Sequence, residues 1–319
     1  MVSGCLPSSC GKVEPRDLAP SDSLSRQLAL SFVPDTLVKL WSSSENLAFP
    51  RTVQFAGENL FVADVRNSNV VSFNQSGNYQ NSIAGEGWKF PYLAGGDTHA
   101  PFVYLPTLNR LDRIAGDTVE KVLDLPTTDN ALTYAFGSGE RIALKTLPKD
   151  GGGSILLYST TSVEVLEFEL SAPQWTHAGG IIVDADTVFS LRGFDRSIDV
   201  FFGEQPPQLR PLVGFDSPML ARAYSFRQGI TSKPPLLSAS AAFVDNRFFV
   251  MNMRPGWLRI DVYSRSGLLE ALLVQPDPAF SKSFYPTDLD VIVMDDGYLI
   301  AVCYKEPTPQ VTLFQWRPQ

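Results

Sequence analysis

Histidine is almost absent from this chain. Its 319 residues include two, His99 and His177, so a zinc site built on three imidazoles is excluded by count. Cysteine is nearly as scarce, with only Cys5, Cys10 and Cys303, and this excludes a disulfide scaffold. Cys303 lies in the apolar run YLIAVCYK and reads as a small buried hydrophobe. No stretch of 18 or more apolar residues occurs, so no helical membrane span is expected. Basic residues are outnumbered, 26 Lys and Arg against 34 Asp and Glu, for a net charge of -8. Binding of nucleic acid is therefore not expected, because it needs a concentrated basic surface. The glycine run at residues 151–153 is not followed by the GK[ST] of a phosphate loop. The twelve-residue calcium-loop pattern is missing too, so Asp288-Leu289-Asp290 and Asp295-Asp296-Gly297 read as turn residues.

Aromatic and apolar residues are plentiful: 44% of the chain is hydrophobic, with 21 Phe, 10 Tyr and 5 Trp, ample material for a core. The organising feature is an internal period. Six strand-like runs recur, NLFVAD from Asn59, PFVYLP from Pro101, RIALKT from Arg141, TVFSLR from Thr187, RFFVMN from Arg247 and GYLIAV from Gly297. Their spacing is near the roughly 40 to 50 residues of a four-stranded propeller blade. Each is preceded by a run of small residues and β-formers and followed by alternating third and fourth strands. The sixth set ends one strand short, and LVKLW at residues 37–41 precedes the first. The expectation is an all-β, six-bladed β-propeller over residues 36–319, its last blade closed by the N-terminal strand. Two stacked β-sandwiches are the alternative. Residues 214–235 read as an inserted loop with one helical turn or a short hairpin.

Residues 60–87 resemble the NHL repeat, through Ala63-Asp64, Asn67 and Asn69 of the turn, Phe73 and Ser76-Gly77. Residues 247–273 are a second, partial copy that keeps Ser266-Gly267. This resemblance to NHL-like bacterial six-bladed propellers implies ligand or protein binding and carries over no catalytic residue.

Residues 1–35 read as a lead, with a tether-like polar stretch at residues 6–25. Val2-Ser3-Gly4-Cys5 fits a lipobox, which would place a lipid on Cys5 and the protein at the cell envelope, touching membrane only through that anchor. No charged or apolar signal region precedes it, and without lipidation the expectation is a cytoplasmic protein.

The loops joining second to third strands, and each fourth strand to the next blade, share one face. They collect half of the chain's Lys and Arg but fewer than a quarter of its Asp and Glu. Ligand-binding candidates there are Arg51, Arg66, Trp88, Lys89, Arg192, Arg222, Tyr224, Arg254 and Lys282, since Arg with aromatic rings suits anions and protein hot spots. The bland reading makes them solvated charges and inter-blade packing, Trp88 and Trp175 above all. The expected function is recognition, by a monomer, of a protein or small anionic ligand. The alternative is a divalent-cation-dependent hydrolase or lactonase, with Asp64, Asn130, Asp195 and Asn252 as candidate ligands. His177 lacks a sequence-placed acid or nucleophile and reads as a hydrogen-bonded loop histidine.

Overall fold

The computed structural model describes residues 20–97, 99–126, 131–149, 152–159, 165–171, 174–203, 205–254, 256–277 and 284–318. Cys5, Asn130 and Lys282 lie outside them.

Among the described residues the chain is all-β, with two short α-helices. It begins with α1 (Pro20–Ser31), β1 (Asp35–Thr36) and β2 (Val38–Ser43). Four-stranded antiparallel units then follow in sequence. The first is β3 (Pro50–Ala56), β4 (Asn59–Asp64), β5 (Asn69–Asn74) and β6 (Tyr79–Ile83). The second is β7 (Tyr92–Gly96), β8 (Pro101–Leu105), β9 (Arg110–Ala115) and β10 (Thr118–Asp124). The third is β11 (Ala131–Ser138), β12 (Arg141–Pro148), β13 (Ser154–Ser159) and β14 (Val165–Glu169). The fourth is β15 (Ile181–Asp184), β16 (Thr187–Arg192), β17 (Ser197–Phe202) and β18 (Gln208–Pro211). After α2 (Leu220–Arg227) comes the fifth, β19 (Ser238–Val244), β20 (Arg247–Asn252), β21 (Arg259–Ser264) and β22 (Leu269–Val274). The last has β23 (Tyr285–Met294), β24 (Gly297–Glu306) and β25 (Gln310–Trp316), with β2 antiparallel to β25 as its fourth strand.

The six apolar runs of the sequence fall on the second strands, whose residues are nearly all buried because both faces of each sheet are covered. First strands lie against those of the neighbouring units, and β23 lies against β3. Side chains interleave between adjacent sheets. Phe249, Ile260 and Val262 of the fifth unit, for example, pack on Tyr298, Ile300 and Trp316 of the last. Each such side chain contributes about 1.5–3 kcal/mol on burial. Tight turns link the strands: Asp245 and Asn246 both take left-handed backbone, φ 52 and 58, as a two-residue hairpin requires.

The N-terminal segment ties units together. β1 runs parallel to β22, and Trp316 Nε1 donates to Asp35 Oδ2 at 3.0 Å. Trp41 on β2 donates from Nε1 to Gln75 O at 2.8 Å, and its ring covers Gly77, where a Cβ would come within 2.6 Å of it. The Ser76-Gly77 turn is thus small because a tryptophan from another unit lies on it.

Two expectations are corrected. The tether-like stretch becomes helical from Pro20, and α1 docks: Ala29 is buried, and Gly214 N donates to Ser25 Oγ at 3.2 Å. Asp288-Leu289-Asp290 is not a turn but the middle of β23, because buried Thr287, Leu289 and Val291 alternate with Asp288 and Asp290, which is a strand period. Asp295-Asp296 does form the turn that follows.

Candidate functional site

Three third strands carry a buried aspartate at their third position: Asp112 on β9, Asp199 on β17 and Asp261 on β21. Each takes an arginine. Arg110 Nε lies 2.7 Å from Asp112, Arg192 makes a two-pronged bond to Asp199 at 2.8 and 2.7 Å, and Arg259 Nε lies 2.5 Å from Asp261. Each also anchors a further side chain. Trp88 Nε1 donates to Asp112 at 2.9 Å, His177 Nδ1 is 2.9 Å from Asp199, and Asn252 Nδ2 donates to Asp261 at 2.7 Å. Asn252 also reaches Asp216 O, so all three aspartates tether the loop that enters their unit. Burial alone would raise the Asp199 carboxyl, but hydrogen bonds from His177 and Arg192 and the charge of Arg192 hold it below its usual value.

Beside this group Lys145 is fully buried, donating to His177 O at 2.7 Å and Ser190 Oγ at 3.0 Å, over the Tyr134 ring at 4.8 Å. Burial lowers its pKa to about 7, against the pull of Asp199.

The sequence-selected residues therefore divide. Trp88, 5% exposed, is engaged by Asp112, Arg192 by Asp199, and Arg254 by Asp216, with its guanidinium over Trp257 at 5.6 Å. Arg66, Lys89 and Arg222 are exposed, with no ion pair among the described residues. Tyr224 is half-buried on α2, and Arg51 is half-buried at the start of β3.

Three loops bring an aromatic cluster to the surface. Trp175 comes from the turn Gln174–His177, Phe194 from the loop between β16 and β17, and Phe226 from α2. Trp175, 37% exposed, meets Phe226 edge-on at 4.9 Å and Phe194 at 6.3 Å. Arg222 stands one helical turn before Phe226 on α2. Arg227 pairs with Asp195 at 3.0 Å and pins α2 to the Phe194 loop.

A second polar group lies on the interior side of the first strands. Asp288 accepts from Val53 N at 3.0 Å and from Ser240 Oγ, and Asp290 accepts from Phe55 N at 2.7 Å. Their spacing of two places both on the β3 side of β23. Burial raises Asp288 to about 6, with Arg51 opposing, and raises Asp290 to about 7, helped by the Asp288 charge. Burial also pushes Tyr134 up to about 12, against a bond from the Gly179 backbone and the charge of Arg51.

The candidate cation ligands are not brought together. Asp64 is consumed by four backbone N–H groups, those of Ala48, Phe49, Arg66 and Asn67. Asp195 pairs with Arg227 and Asn252 with Asp261, while Asn130 is outside the described residues. Among the described residues no group of three or more His, Cys, Asp or Glu is placed to hold a metal ion.

Sequence reasoning missed the third-strand aspartates, although a signal was present: Leu111-Asp112, Ile198-Asp199 and Ile260-Asp261 repeat at one position of three units. It assigned Asp288 and Asp290 to a turn and so missed their contact with β3.

No protein-family model and no curated protein matches the sequence. Solved structures do. A streptogramin B lyase aligns over 89% of this chain and 88% of its own, with a TM-score of 0.53 and 12% identity. A calcium-binding protein, regucalcin, from Agrobacterium tumefaciens aligns over 90% and 98%, with a TM-score of 0.53 and 11% identity. A catalytically inactive virginiamycin B lyase from Staphylococcus aureus, with quinupristin, aligns over 86% and 83%, with a TM-score of 0.50 and 11% identity. At such identities the likeness carries the fold alone, and that fold is a β-propeller.

Proposed function

We propose that the chain is a six-bladed binding propeller, its last blade completed by β2, which recognises a protein or small anionic ligand through its loop face. The observation that carries this reading is the Trp175, Phe194 and Phe226 cluster, with exposed Arg222, in no ion pair among the described residues, one helical turn before Phe226. Three separate segments converge to hold a large ring about a third out of water, and the Arg222 guanidinium is exposed on the same helix as Phe226. Rigid aromatic and arginine side chains of this kind make hot spots for partners with acidic and apolar groups. The dispersal of Asp64, Asp195 and Asn252 favours this reading over the cation-dependent hydrolase. Lipidation at Cys5 would present the same face at the cell envelope, with Tyr224 of α2 at its border.

The test is surface plasmon resonance with an immobilised protein and acidic peptides that contain an aromatic residue. Trp175→Ala combined with Arg222→Glu is expected to weaken binding about tenfold or more, with an unchanged thermal melt. Absence of binding to the wild type, or equal binding by the variant, contradicts the reading.

A further inference from the structure

Between β1 and β2 the N-terminal segment crosses from the fifth unit to the last, and a cavity opens beside that crossing. Leu37 N donates to Val274 O at 2.8 Å, which holds the crossing at the end of β22. Residues 275–277, the continuation of β22, form one wall of the cavity, and Lys39 of β2 with Tyr304 and Phe314 of β24 and β25 form the other. Its volume is about 140 Å³, close to the roughly 150 Å³ of a cavity that takes a benzene ring.

Strand register sets the lining. Lys39 is the partner of Phe314 and Gln310 that of Tyr304, so these four side chains stand on one face of the last sheet. The floor is apolar: Phe284, Tyr304 and Phe314 are each more than nine-tenths buried, and the Phe284 and Tyr304 rings lie 5.5 Å apart. The Tyr304 hydroxyl makes no hydrogen bond among the described residues, although a buried phenol calls for a partner. The rim carries one cation, Lys39, and one anion, Asp277, both exposed and in no ion pair among the described residues. Other polar groups of the lining are already engaged. Gln275 Oε1 accepts from Leu258 N at 3.0 Å and its Nε2 donates to Asp277 O at 2.7 Å, which fixes the wall that carries Asp277. Ser42 Oγ and Thr312 Oγ1 satisfy each other at 3.0 Å.

We propose that this cavity binds a small ring-bearing zwitterion, of the class of an aromatic α-amino acid. The ring lies among Phe284, Tyr304 and Phe314, Lys39 takes the carboxylate, Asp277 takes the ammonium group, and the Tyr304 hydroxyl gains its missing partner. An anion alone is opposed by Asp277 and a cation alone by Lys39, whereas a zwitterion answers both. The site shares no residue with the Trp175 cluster and goes beyond the recognition proposed for that surface. Because its walls belong to two units, a bound ligand also holds the fifth unit against the last.

L-Phenylalanine is the probe, read by titration calorimetry and by thermal melt. The wild type is expected to bind it saturably with a Kd of about 1 mM or tighter, and its melt to rise with ligand concentration. 3-Phenylpropionate, which lacks the ammonium group, and phenethylamine, which lacks the carboxylate, should each bind about tenfold or more weakly. Lys39→Gln and Asp277→Asn change exposed side chains, and each should weaken phenylalanine about threefold or more with an unchanged ligand-free melt. Lys39→Gln should also lose most of the preference over phenethylamine, and Asp277→Asn most of the preference over 3-phenylpropionate. Tyr304→Phe keeps the ring without the hydroxyl and should cost about threefold. No saturable binding of phenylalanine below about 10 mM overturns the proposal. So does wild-type affinity in either charge variant, or equal binding by either analogue.

Discussion

Two places where neighbouring sheets meet meet the same demand by different chemistry. Radially arranged sheets diverge, so a first strand cannot pair along its length with the next one, yet its inward N–H groups still need partners. Between the second and third units the answer is backbone. Gly95 and Gly96 of β7 pair with Gly137 and Ser138 of β11, and two units merge into an eight-stranded sheet. Between the last unit and the first it is side chain, since Asp288 and Asp290 of β23 accept from Val53 N and Phe55 N of β3. A lesser version joins the first and second units, where Thr52 Oγ1 accepts from Leu93 N at 2.7 Å. The glycine seam gains close approach and responds to nothing. The carboxylate seam carries two acids whose pKa desolvation raises toward neutrality, so its strength depends on pH.

The largest expected effect breaks the glycine seam. A Cβ on Gly95 would lie 2.1 Å from Gly137 O, and Gly95 has φ +73, which L side chains rarely adopt. Gly95→Ala should cost about 2–4 kcal/mol in urea unfolding, combining the clash with left-handed strain. A cost under about 1 kcal/mol would mean that the two units do not depend on that approach.

A smaller effect sharpens the other half of the comparison. Folded Asp290 keeps its proton up to about pH 7, whereas the unfolded chain releases it near the ordinary carboxylate value of about 4. Between those values the unfolded state binds fewer protons, so stability falls as pH rises. Asp290→Asn keeps an acceptor for Phe55 N without the charge. It should flatten that slope and stabilise the protein by about 2 kcal/mol at pH 8 while changing little at pH 4. Equal slopes in variant and wild type would remove Asp290 from the seam's titration.

Much of this architecture was legible in the residues. The six apolar runs are second strands because burial on both faces demands near-continuous hydrophobicity, which a sequence displays openly. What a carboxylate does is less visible. Asp64 resembles a metal ligand in composition, yet four backbone N–H groups surround it. Asp288 and Asp290 resemble turn residues, yet their partners lie 235 positions away. Trp88 and Arg192 were chosen for their chemistry and are taken up by Asp112 and Asp199. Arg222 on α2 and Trp175 in the turn Gln174–His177 stay exposed, outside the sheets. Residue type selects what can bind, and only packing decides which groups are already bound.

The most direct test is a carbon-13 NMR titration of the Asp288 and Asp290 carboxyls, assigned through the single Asn variants. Midpoints of about 6 and 7 are the result predicted here. Midpoints at the ordinary carboxylate value of about 4 would contradict the proton-holding seam.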